Sequence, residues 1–408
     1  MDIFIQELKR QLGLKRVVLY LGTSIILALL WAWFIIGGAT DNFMQVSCYG
    51  GAKGSASINA AAESRKPTEG TMTIERFQKG RDVFLSCLNG SNESDITITP
   101  ELLKYTVYSD LLITQEFRLR EMMGESMDNL VQLPVDAATA FYENEDLYYT
   151  NYIKDNALND GERELALSSW NKVEKPYTYY SGFKQWDEGI CHLVLFSFVL
   201  MIMSAVFASS IIAKDKESGL DEIIASSKKG RTTLTLAKVS IPLILASATY
   251  ILGTGLYVLI LNAKLPAGSL STTLQVAGRG ILPYTLKMVL IKIWLLGIAG
   301  TISLTAFSTW ISSLISKSSR VMAITVSMPL ASLITGIMIN SNSRALSLFS
   351  AVIPGGSVLS YLSFLSLDKF PIATVLGKSM WISTLSLISC GVVLLLSLVF
   401  TAFNYNRR

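Results

Sequence analysis

The residues that could perform catalysis or bind a metal are few and widely separated in this chain. The sequence has a single histidine, His192, and four cysteines, whose spacing fits neither a zinc finger nor an iron–sulfur motif. No His–Glu metal motif, nucleophile elbow or paired-cysteine motif occurs. His192 falls near the start of an apolar stretch, where a packed or interfacial imidazole is the ordinary role. We therefore expect no catalytic residue, no metal site and no enzymatic activity of the chain's own.

One short motif resembles part of a nucleotide-binding loop but lacks a glycine that the loop requires. Gly377-Lys378-Ser379 resembles the end of a phosphate-binding loop. Such a loop needs another glycine five positions before Gly377, where this chain has Ile372. We expect no cofactor on this chain, including ATP.

Segment 214–238 carries the most informative local pattern. Leu220, Ile223 and Ile224 recur at helical spacing, and acidic residues occupy the other face, which predicts a short amphipathic helix. Lysines follow this helix, and positive charge near the C-terminal end of a helix interacts favourably with its dipole. Two interpretations remain open. The helix rests on a membrane surface, or it is a lever that docks on a soluble partner.

Composition and charge indicate the elements that must position this segment. The chain has 408 residues, of which half are hydrophobic and only 16% are charged. Soluble domains average about 25% charged residues. Residues 41–188 hold 24 acidic and 14 basic residues, whereas the remainder holds 7 acidic and 21 basic. This division excludes a uniformly basic nucleic-acid binder and predicts one acidic soluble block inside a basic membrane protein.

Seven charge-free stretches are long enough to cross a bilayer. They are 17–40, 190–213, 239–263, 293–316, 321–343, 345–367 and 379–406. The sixth, 345–367, is broken at its centre by Pro354-Gly355-Gly356, which favours a re-entrant segment over a full span. The first is too long for the apolar part of a signal peptide, so we expect an uncleaved span. We predict an all-α membrane protein with six transmembrane helices, a re-entrant hairpin and a mainly α extracytoplasmic domain between helices 1 and 2.

Lysine and arginine positions predict the orientation. Basic residues cluster before the first span, in 214–238, between the fourth and fifth spans, and at the C-terminus. With six spans these clusters share one side, which the positive-inside rule assigns to the cytoplasm. We expect a multi-pass protein of the cell membrane with both termini cytoplasmic and 41–188 extracellular.

The acidic block 41–188 divides into a linker and a compact domain. Residues 50–70 are rich in Gly, Ser and Ala and predict a flexible linker. Helices are predicted at 74–88, 100–125 and 159–173. Cys48 and Cys87 could form a disulfide or remain thiols. Aromatic residues crowd the end of the block, and they form either the domain core or a surface for an amphiphilic substrate.

The N-terminal residues 1–16 predict a helix that lies in the membrane interface. Phe4, Leu8 and Leu12 recur every four residues, and most of the basic residues lie off that stripe.

Together these features resemble the membrane (permease) subunit of a type-2 ABC exporter. Such permeases have an amphipathic N-terminal helix, six spans, a coupling helix after the second span and a re-entrant segment before the last. The coupling-loop pattern is matched by Glu217, Gly219, Glu222, Ile223-Ile224, Ser226, Arg231 and Lys238. Many members carry a proline after the serine, where this chain has Ser227 or Lys228. The resemblance covers nearly all of 1–40 and 189–408, and the large insertion is similar to sodium-exporter or multidrug-type permeases of Gram-positive bacteria.

The resemblance implies a function and partners. The chain would form a translocation pathway for a small ion, drug, antimicrobial peptide or amphiphile. A separate ABC ATPase subunit would bind ATP and Mg, and would contact Glu217, Gly219, Leu220, Glu222, Ile223, Ile224 and Arg231 as well as Phe4, Leu8 and Leu12. A second permease copy or homologue would complete the pathway within the lipid bilayer, and no nucleic acid is expected.

Candidate pathway residues are Lys287, Lys292 and Pro354-Gly355-Gly356. Lysines near a span end also snorkel to the interface, so either role is open for Lys287 and Lys292. A different class of function is a membrane receptor or sensor whose extracytoplasmic domain binds a ligand. Such a sensor usually has a cytoplasmic output domain, which the sequence between the spans does not provide.

Overall fold

The computed structural model of the chain describes residues 2–39, 42–43, 46–89, 96–125, 133–220, 231–338, 343–360 and 370–406. These residues are mostly helical. The strands among them form three two-stranded antiparallel pairs: Asn42–Phe43 with Val46–Ser47 (β1, β2), Gly70–Thr71 with Thr178–Tyr179 (β3, β4), and Ile372–Val375 with Lys378–Trp381 (β5, β6).

Among the described residues, six helical segments are long and apolar enough to cross a membrane. They are Leu14–Gly37, Phe183–Glu217, Thr233–Lys264, Leu286–Leu314, Ser318–Gly336 and Ile382–Asn404. The helices that form them are α2 (Leu14–Gly37), α9 (Phe183–Ser209) with the short α10 (Ala213–Glu217), α11 (Arg231–Lys264), α12 (Leu286–Leu314), α13 (Ser318–Leu333, continued as a π-helix over Ile334–Met338) and α16 (Ile382–Asn406). The predicted helical membrane protein with six spanning helices is confirmed at this level.

A helical domain lies between α2 and α9. Its helices are α3 (Ser55–Arg65), α4 (Ile74–Ser86), α5 (Pro100–Met123), α6 (Val135–Thr139), α7 (Phe141–Asn156) and α8 (Asp160–Trp170). We call the end of the membrane bundle that carries this domain the domain end. The opposite end, where α2 begins and α9 stops, is the far end.

Local sequence explains where the domain helices begin. The Thr99 hydroxyl accepts a hydrogen bond from the Leu102 amide, and Pro100 occupies the first helical position of α5, where a missing amide proton costs nothing. Asn159 caps α8 in the same way by accepting from the Glu162 amide. The helices predicted near 74–88, 100–125 and 159–173 are therefore present with shifted ends.

The segment predicted as a flexible linker, 50–70, is ordered instead. Ser55–Arg65 forms α3, and 3-10 turns flank it at Tyr49–Gly51 and Lys66–Thr68. Ser57, Ile58 and Ala61 are buried on one face of α3. Small side chains allow this face to pack closely against α5, so the same Ala- and Ser-rich composition that is typical of linkers serves helix packing here.

The aromatic side chains near the end of the domain form its core. The rings of Phe77 and Phe141 stack with centroids 3.9 Å apart, and Tyr149 packs on Trp170 at 4.2 Å. Buried members of the set are Phe141, Tyr149, Trp170, Tyr177, Tyr179, Phe183 and Trp186. Of the two roles left open by the sequence, the core role is the one these residues have. Cys48 and Cys87 are both buried, and within the described residues no disulfide joins them.

Small hydroxyl side chains join the central membrane helices. Ser308 and Ser312 of α12 donate hydrogen bonds of 2.8 Å and 2.9 Å to the backbone carbonyls of Ala205 and Ser209 in α9. Small residues let helix backbones approach closely, and hydroxyl groups then bond across the contact. The α9–α12 pair is thereby the tightly joined centre of the bundle.

The chain is broken where proline and glycines predicted a break. Helix α14 (Arg344–Val352) ends before Pro354-Gly355-Gly356, and the short α15 (Ser357–Ser360) follows. Gly355 has φ +88°, which favours glycine. A Cβ at Gly356 would lie 1.9 Å from the Ser350 carbonyl oxygen, so the two short helices approach too closely for any other residue.

Polar contacts fix the domain on the bundle. Arg118 of α5 donates a 3.0 Å hydrogen bond to the Gly278 carbonyl, in the connection between α11 and α12. Asn159 donates a 3.0 Å bond to the Thr374 hydroxyl in the β5–β6 hairpin. The domain therefore contacts two separate connections at the domain end.

Candidate functional site

A cluster of ionic side chains lies at the far end of the bundle and joins three elements. The Arg10 guanidinium of α1 (Asp2–Gln11) donates two hydrogen bonds of 2.8 Å to the two carboxylate oxygens of Asp215 in α10. Lys238 of α11 donates to Asp215 Oδ2 and lies 3.7 Å from Glu7 Oε1. Arg10 also donates a 2.6 Å bond to Glu7. The cluster thus links α1, the α9–α11 connection and the third spanning segment.

Burial makes this cluster unlike a surface salt bridge. The Lys238 side chain is fully buried, and the side chains of Asp215 and Glu7 are 6% and 7% exposed. Charges removed from water are tolerated when they are paired and hydrogen-bonded. Two acids face two bases here, so the cluster carries no net charge. The hydrogen bond to Asp215 raises the pKa of Arg10 above its usual value, which keeps the guanidinium charged.

The local sequence of α1 produces this arrangement. Glu7, Arg10 and Gln11 recur at three- and four-residue intervals, so they share one face. Glu7 and Gln11 are buried on this face, and Arg10 is exposed. Gln11 Nε2 donates a 2.5 Å bond to Glu7 Oε1. The predicted apolar stripe, Phe4, Leu8 and Leu12, is half-buried. Leu12 packs against a far-end cluster formed by Phe207, Ile211, Ile212, Leu234 and Leu245.

The α9–α11 connection also holds the fourth and fifth spanning helices. The Ser312 hydroxyl of α12 accepts hydrogen bonds from the backbone amides of Ile212 and Ala213, at 3.1 Å and 2.8 Å. The Glu217 carboxylate accepts bonds of 3.1 Å from the backbone amide and the hydroxyl of Ser318. Ser318 begins α13, so Glu217 satisfies an amide that the helix itself leaves unbonded. Residues 212–217 therefore contact α12 and α13 in addition to α1 and α11.

The residues predicted to contact a partner are described in part. Gly219 has φ +70° and turns the chain at the end of α10. Leu220 is 42% exposed. Glu222, Ile223 and Ile224 lie outside the described residues. Arg231 begins α11, and its side chain is also outside the description.

The candidate pathway residues do not converge on one site. Lys287 and Lys292 are exposed near the domain end of α12, and Lys292 Nζ lies 4.9 Å from the centre of the Tyr284 ring. Gly355 and Gly356 are buried at the break between α14 and α15, and Pro354 is half-buried. Arg344, which starts α14, donates to the carbonyls of Asn156 and Ile372 at the domain end.

The chemistry available at the cluster is electrostatic and mechanical. In the part of the chain that the structure describes, no group of three or more His, Cys, Asp or Glu side chains could hold a metal ion. The carboxylates of Glu7 and Asp215 accept hydrogen bonds from Arg10 and Lys238. The cluster joins α1, α10 and α11 through ion pairs.

Sequence reasoning found the segment but missed most of the cluster. Lys238 was singled out only through family resemblance, and Glu7, Arg10, Gln11 and Asp215 were not singled out. A signal exists in the sequence. Glu7 and Asp215 are acidic residues near lysines or arginines in far-end segments, and Lys238 borders the third charge-free stretch, 239–263. Unpaired charges in such places are costly, which predicts that they pair.

Comparison of the sequence with models of known protein families and with curated protein sequences gives no match.

Proposed function

We propose that this chain is the permease subunit of an ATP-driven exporter, moved by a separate ATPase subunit that binds at the far end. The observation that carries the proposal is the buried cluster of Glu7, Arg10, Asp215 and Lys238 beside segment 218–230. ATP and Mg would bind to the partner, since this chain lacks a complete phosphate-binding loop.

The cluster explains how movement of segment 218–230 reaches the membrane helices. A partner binds Leu220 and the apolar residues that follow it in the sequence. Movement of the partner then displaces α10. The displacement reaches α1 and α11 through the ion pairs of Asp215, and it reaches the start of α13 through the hydrogen bonds of Glu217. Reversing a two-state equilibrium from 1:99 to 99:1 needs about 5.5 kcal/mol of differential binding. Burial of three Leu or Ile side chains, at about 1.5–3 kcal/mol each, is of that size.

The orientation belongs to the same proposal. The far end is cytoplasmic, because 14 of the 21 lysines and arginines outside the long block 41–188 belong to far-end segments, and the positive-inside rule counts short connections and not long domains. Both termini then lie in the cytoplasm, and the domain between α2 and α9 is extracytoplasmic. A second permease copy or homologue packs beside this one and completes the translocation pathway.

The broken segment supports a re-entrant arrangement. Arg344 contacts Asn156 of the domain, and Phe370 lies under the same guanidinium at 4.7 Å. Between them, the Ser357 hydroxyl donates a 3.1 Å bond to the Leu296 carbonyl, roughly 15 Å along α12 from its start. Arg344 and Phe370 both lie at the domain end, and Ser357 between them in sequence bonds about a third of the way along α12. This arrangement fits a segment that enters and leaves on one side.

Site-specific crosslinking tests the partner and the orientation together. A photoreactive amino acid at Leu220, in whole cells, should yield an adduct with a separate chain that contains a phosphate-binding loop. The control carries the same group at Leu376, which is 99% exposed at the β5–β6 tip, and should not yield this adduct. If a membrane-impermeant thiol reagent applied outside intact cells labels Leu220→Cys and spares Leu376→Cys, the orientation is reversed and the proposal is wrong.

A paired substitution tests the coupling itself. Glu217→Lys together with Ile223→Asp should lower the amount of ATPase co-purified with the chain about tenfold or more, because an apolar anchor and a fixed carboxylate are lost. Glu143→Lys with Leu147→Asp, both exposed in the domain, is the matched control. Unchanged co-purification in the first variant contradicts the coupling role. A ligand response of the domain without any ATPase partner would favour a receptor.

A further inference from the structure

A cleft of about 280 Å³ opens at the far end beside the ionic cluster. It lies between the end of α1, the start of α2 and the end of α9 with α10. The residues that line it include Arg10, Gln11, Arg16, Lys214, Asp215 and Leu220. This volume is near the lower end of small-ligand sites, about 300 Å³, so it suits a compact group.

The cleft is electropositive. Arg10 and Asp215 neutralise each other through their two hydrogen bonds. Arg16 and Lys214 are exposed at the cleft and, counting only the described residues, neither has an acidic side chain within salt-bridge distance. Arg16 is directed by a 3.2 Å hydrogen bond from Nη1 to the Gln11 carbonyl. Two positive charges are therefore available to an anion.

Gln11, which lines the cleft, carries a buried oxygen without a hydrogen-bond partner among the described residues, and this points to a ligand that also donates a hydrogen bond. Gln11 is 4% exposed, and its Nε2 is committed to the Glu7 carboxylate. Its Oε1 is buried and accepts no hydrogen bond from the residues that the structure describes. A buried acceptor without a donor is unfavourable, so the arrangement is completed by a donor in the cleft.

The geometry points to a site for the headgroup of an anionic phospholipid that carries a free hydroxyl, as phosphatidylglycerol does. The phosphate lies between Arg16 and Lys214, and a headgroup hydroxyl donates to Gln11 Oε1. Exposed apolar side chains beside the cleft favour a lipid over a soluble phosphate. Leu14, Val18 and Leu19 at the start of α2 are 79%, 59% and 61% exposed and are available to acyl chains.

This inference stands apart from the proposed transport function, because it requires only the cleft and a membrane. Leu220 lines the cleft and begins the segment assigned to the partner. A bound headgroup would therefore contact the base of that segment.

Direct lipid binding by the full-length chain tests the site. The purified chain is titrated, in detergent and by native mass spectrometry, with phosphatidylglycerol, phosphatidylmethanol, phosphatidylcholine and soluble glycerol 3-phosphate. Phosphatidylmethanol carries the same charge without a hydroxyl. One phosphatidylglycerol should bind most tightly, phosphatidylmethanol more weakly, and phosphatidylcholine weakest.

Three variants separate the contributions. Arg16→Ala with Lys214→Ala should weaken phosphatidylglycerol binding about tenfold or more. Lys9→Ala with Lys15→Ala removes the same charge outside the cleft and should have a much smaller effect. Gln11→Leu should lower phosphatidylglycerol affinity about three- to tenfold, to the level of phosphatidylmethanol, and leave phosphatidylmethanol unchanged.

The outcomes that overturn the inference are distinct. Equal losses in the two double variants mean that general surface charge binds the lipid. Equal affinity for phosphatidylglycerol and phosphatidylmethanol removes the role of Gln11. Glycerol 3-phosphate binding as tightly as the lipid means that the cleft serves a soluble phosphate instead.

Discussion

Arg10 and Asp215 lie 205 positions apart in the chain and meet at the far end through two parallel hydrogen bonds of 2.8 Å. This fork-to-carboxylate geometry fixes the orientation of both groups, which a lysine in place of Arg10 could not do. The pair attaches the N-terminal helix to the connection between the second and third spanning segments. Because Lys238 donates to the same carboxylate, Asp215 of α10 is bonded to both α1 and α11. We therefore expect a displacement of Asp215 to move all three helices.

Removing the carboxylate should destabilise the chain strongly. Asp215→Asn leaves the fully buried Lys238 ammonium without its closest counter-charge, and losing one partner of a buried ion pair costs about 3–5 kcal/mol. Thermal unfolding of the purified chain in detergent measures the effect. Asp155→Asn, which changes an exposed acid in the domain, should unfold like the wild type.

A second variant separates lost charge from lost shape. Asp215→Leu with Lys238→Met removes both charges and keeps apolar volume, so it should recover a large part of the lost stability. If Asp215→Asn unfolds at the wild-type temperature, Lys238 is not held by this carboxylate and the cluster does not link the three elements.

Glu217 should control the start of α13. In Glu217→Ala the Ser318 amide loses its acceptor, and a lost cap of this kind costs about 0.5–2 kcal/mol locally. Hydrogen exchange followed by mass spectrometry should show faster exchange at residues 318–321. Glu217→Gln retains an acceptor oxygen and should show a smaller increase. Unchanged exchange in Glu217→Ala would mean that the contact does not fix the helix end.

The sequence predicts the membrane helices well because length and apolarity are what a bilayer requires. The stretch 17–40 corresponds to Leu14–Gly37, and 239–263 to Thr233–Lys264. The spanning helices extend past the charge-free stretches, since Lys238 and Lys264 are helical. Residues 50–70 are where composition misled, because alanine and serine suit a packed helix as well as a linker.

The candidate site was harder to predict because it depends on pairing between distant residues. Glu7 and Arg10 look like ordinary polar positions of an amphipathic helix, and the apolar stripe of Phe4, Leu8 and Leu12 predicts a helix that lies in the membrane interface. The structure buries Glu7 and Gln11 and leaves Phe4 and Leu8 half-buried. Only the contact with Asp215 and Lys238 explains this, and no periodicity within α1 encodes it.

Glu145 should make the stability of the chain depend on pH. This buried carboxylate accepts hydrogen bonds from Gln115 at 2.9 Å and Tyr177 at 3.0 Å, yet burial raises its pKa above the usual 4.5. Below about pH 4.5 the Glu145 carboxyl is protonated in both the folded and the unfolded chain. Its contribution to the free energy of unfolding is then at its maximum. As the pH rises through the raised folded pKa, the unfolded chain loses the proton more readily, so the free energy of unfolding falls.

The comparison of Glu145→Gln with the wild type across pH 4–8 isolates this effect. Glutamine resembles the protonated carboxyl and does not titrate, so the variant should unfold at a higher temperature than the wild type at neutral pH, with the difference shrinking in acid. Glu143→Gln changes an exposed carboxyl on the same helix and should leave the pH profile unaltered. If the unfolding temperatures of the wild type and Glu145→Gln change with pH in parallel, Glu145 is not the source of the pH dependence.

Gly356 should be intolerant of even one added methyl group. An alanine Cβ there would lie 1.9 Å from the Ser350 carbonyl oxygen and 3.1 Å from that of Ile353, and both contacts are backbone atoms that cannot rotate away. Such overpacking costs about 1–3 kcal/mol, so Gly356→Ala should lower the unfolding temperature. Gly391→Ala in α16 meets no atom within 4 Å and is the matched control. Equal behaviour of the two variants would mean that α14 and α15 can separate at the break, and the closely packed turn at Pro354-Gly355-Gly356 would then not be a fixed element of the bundle.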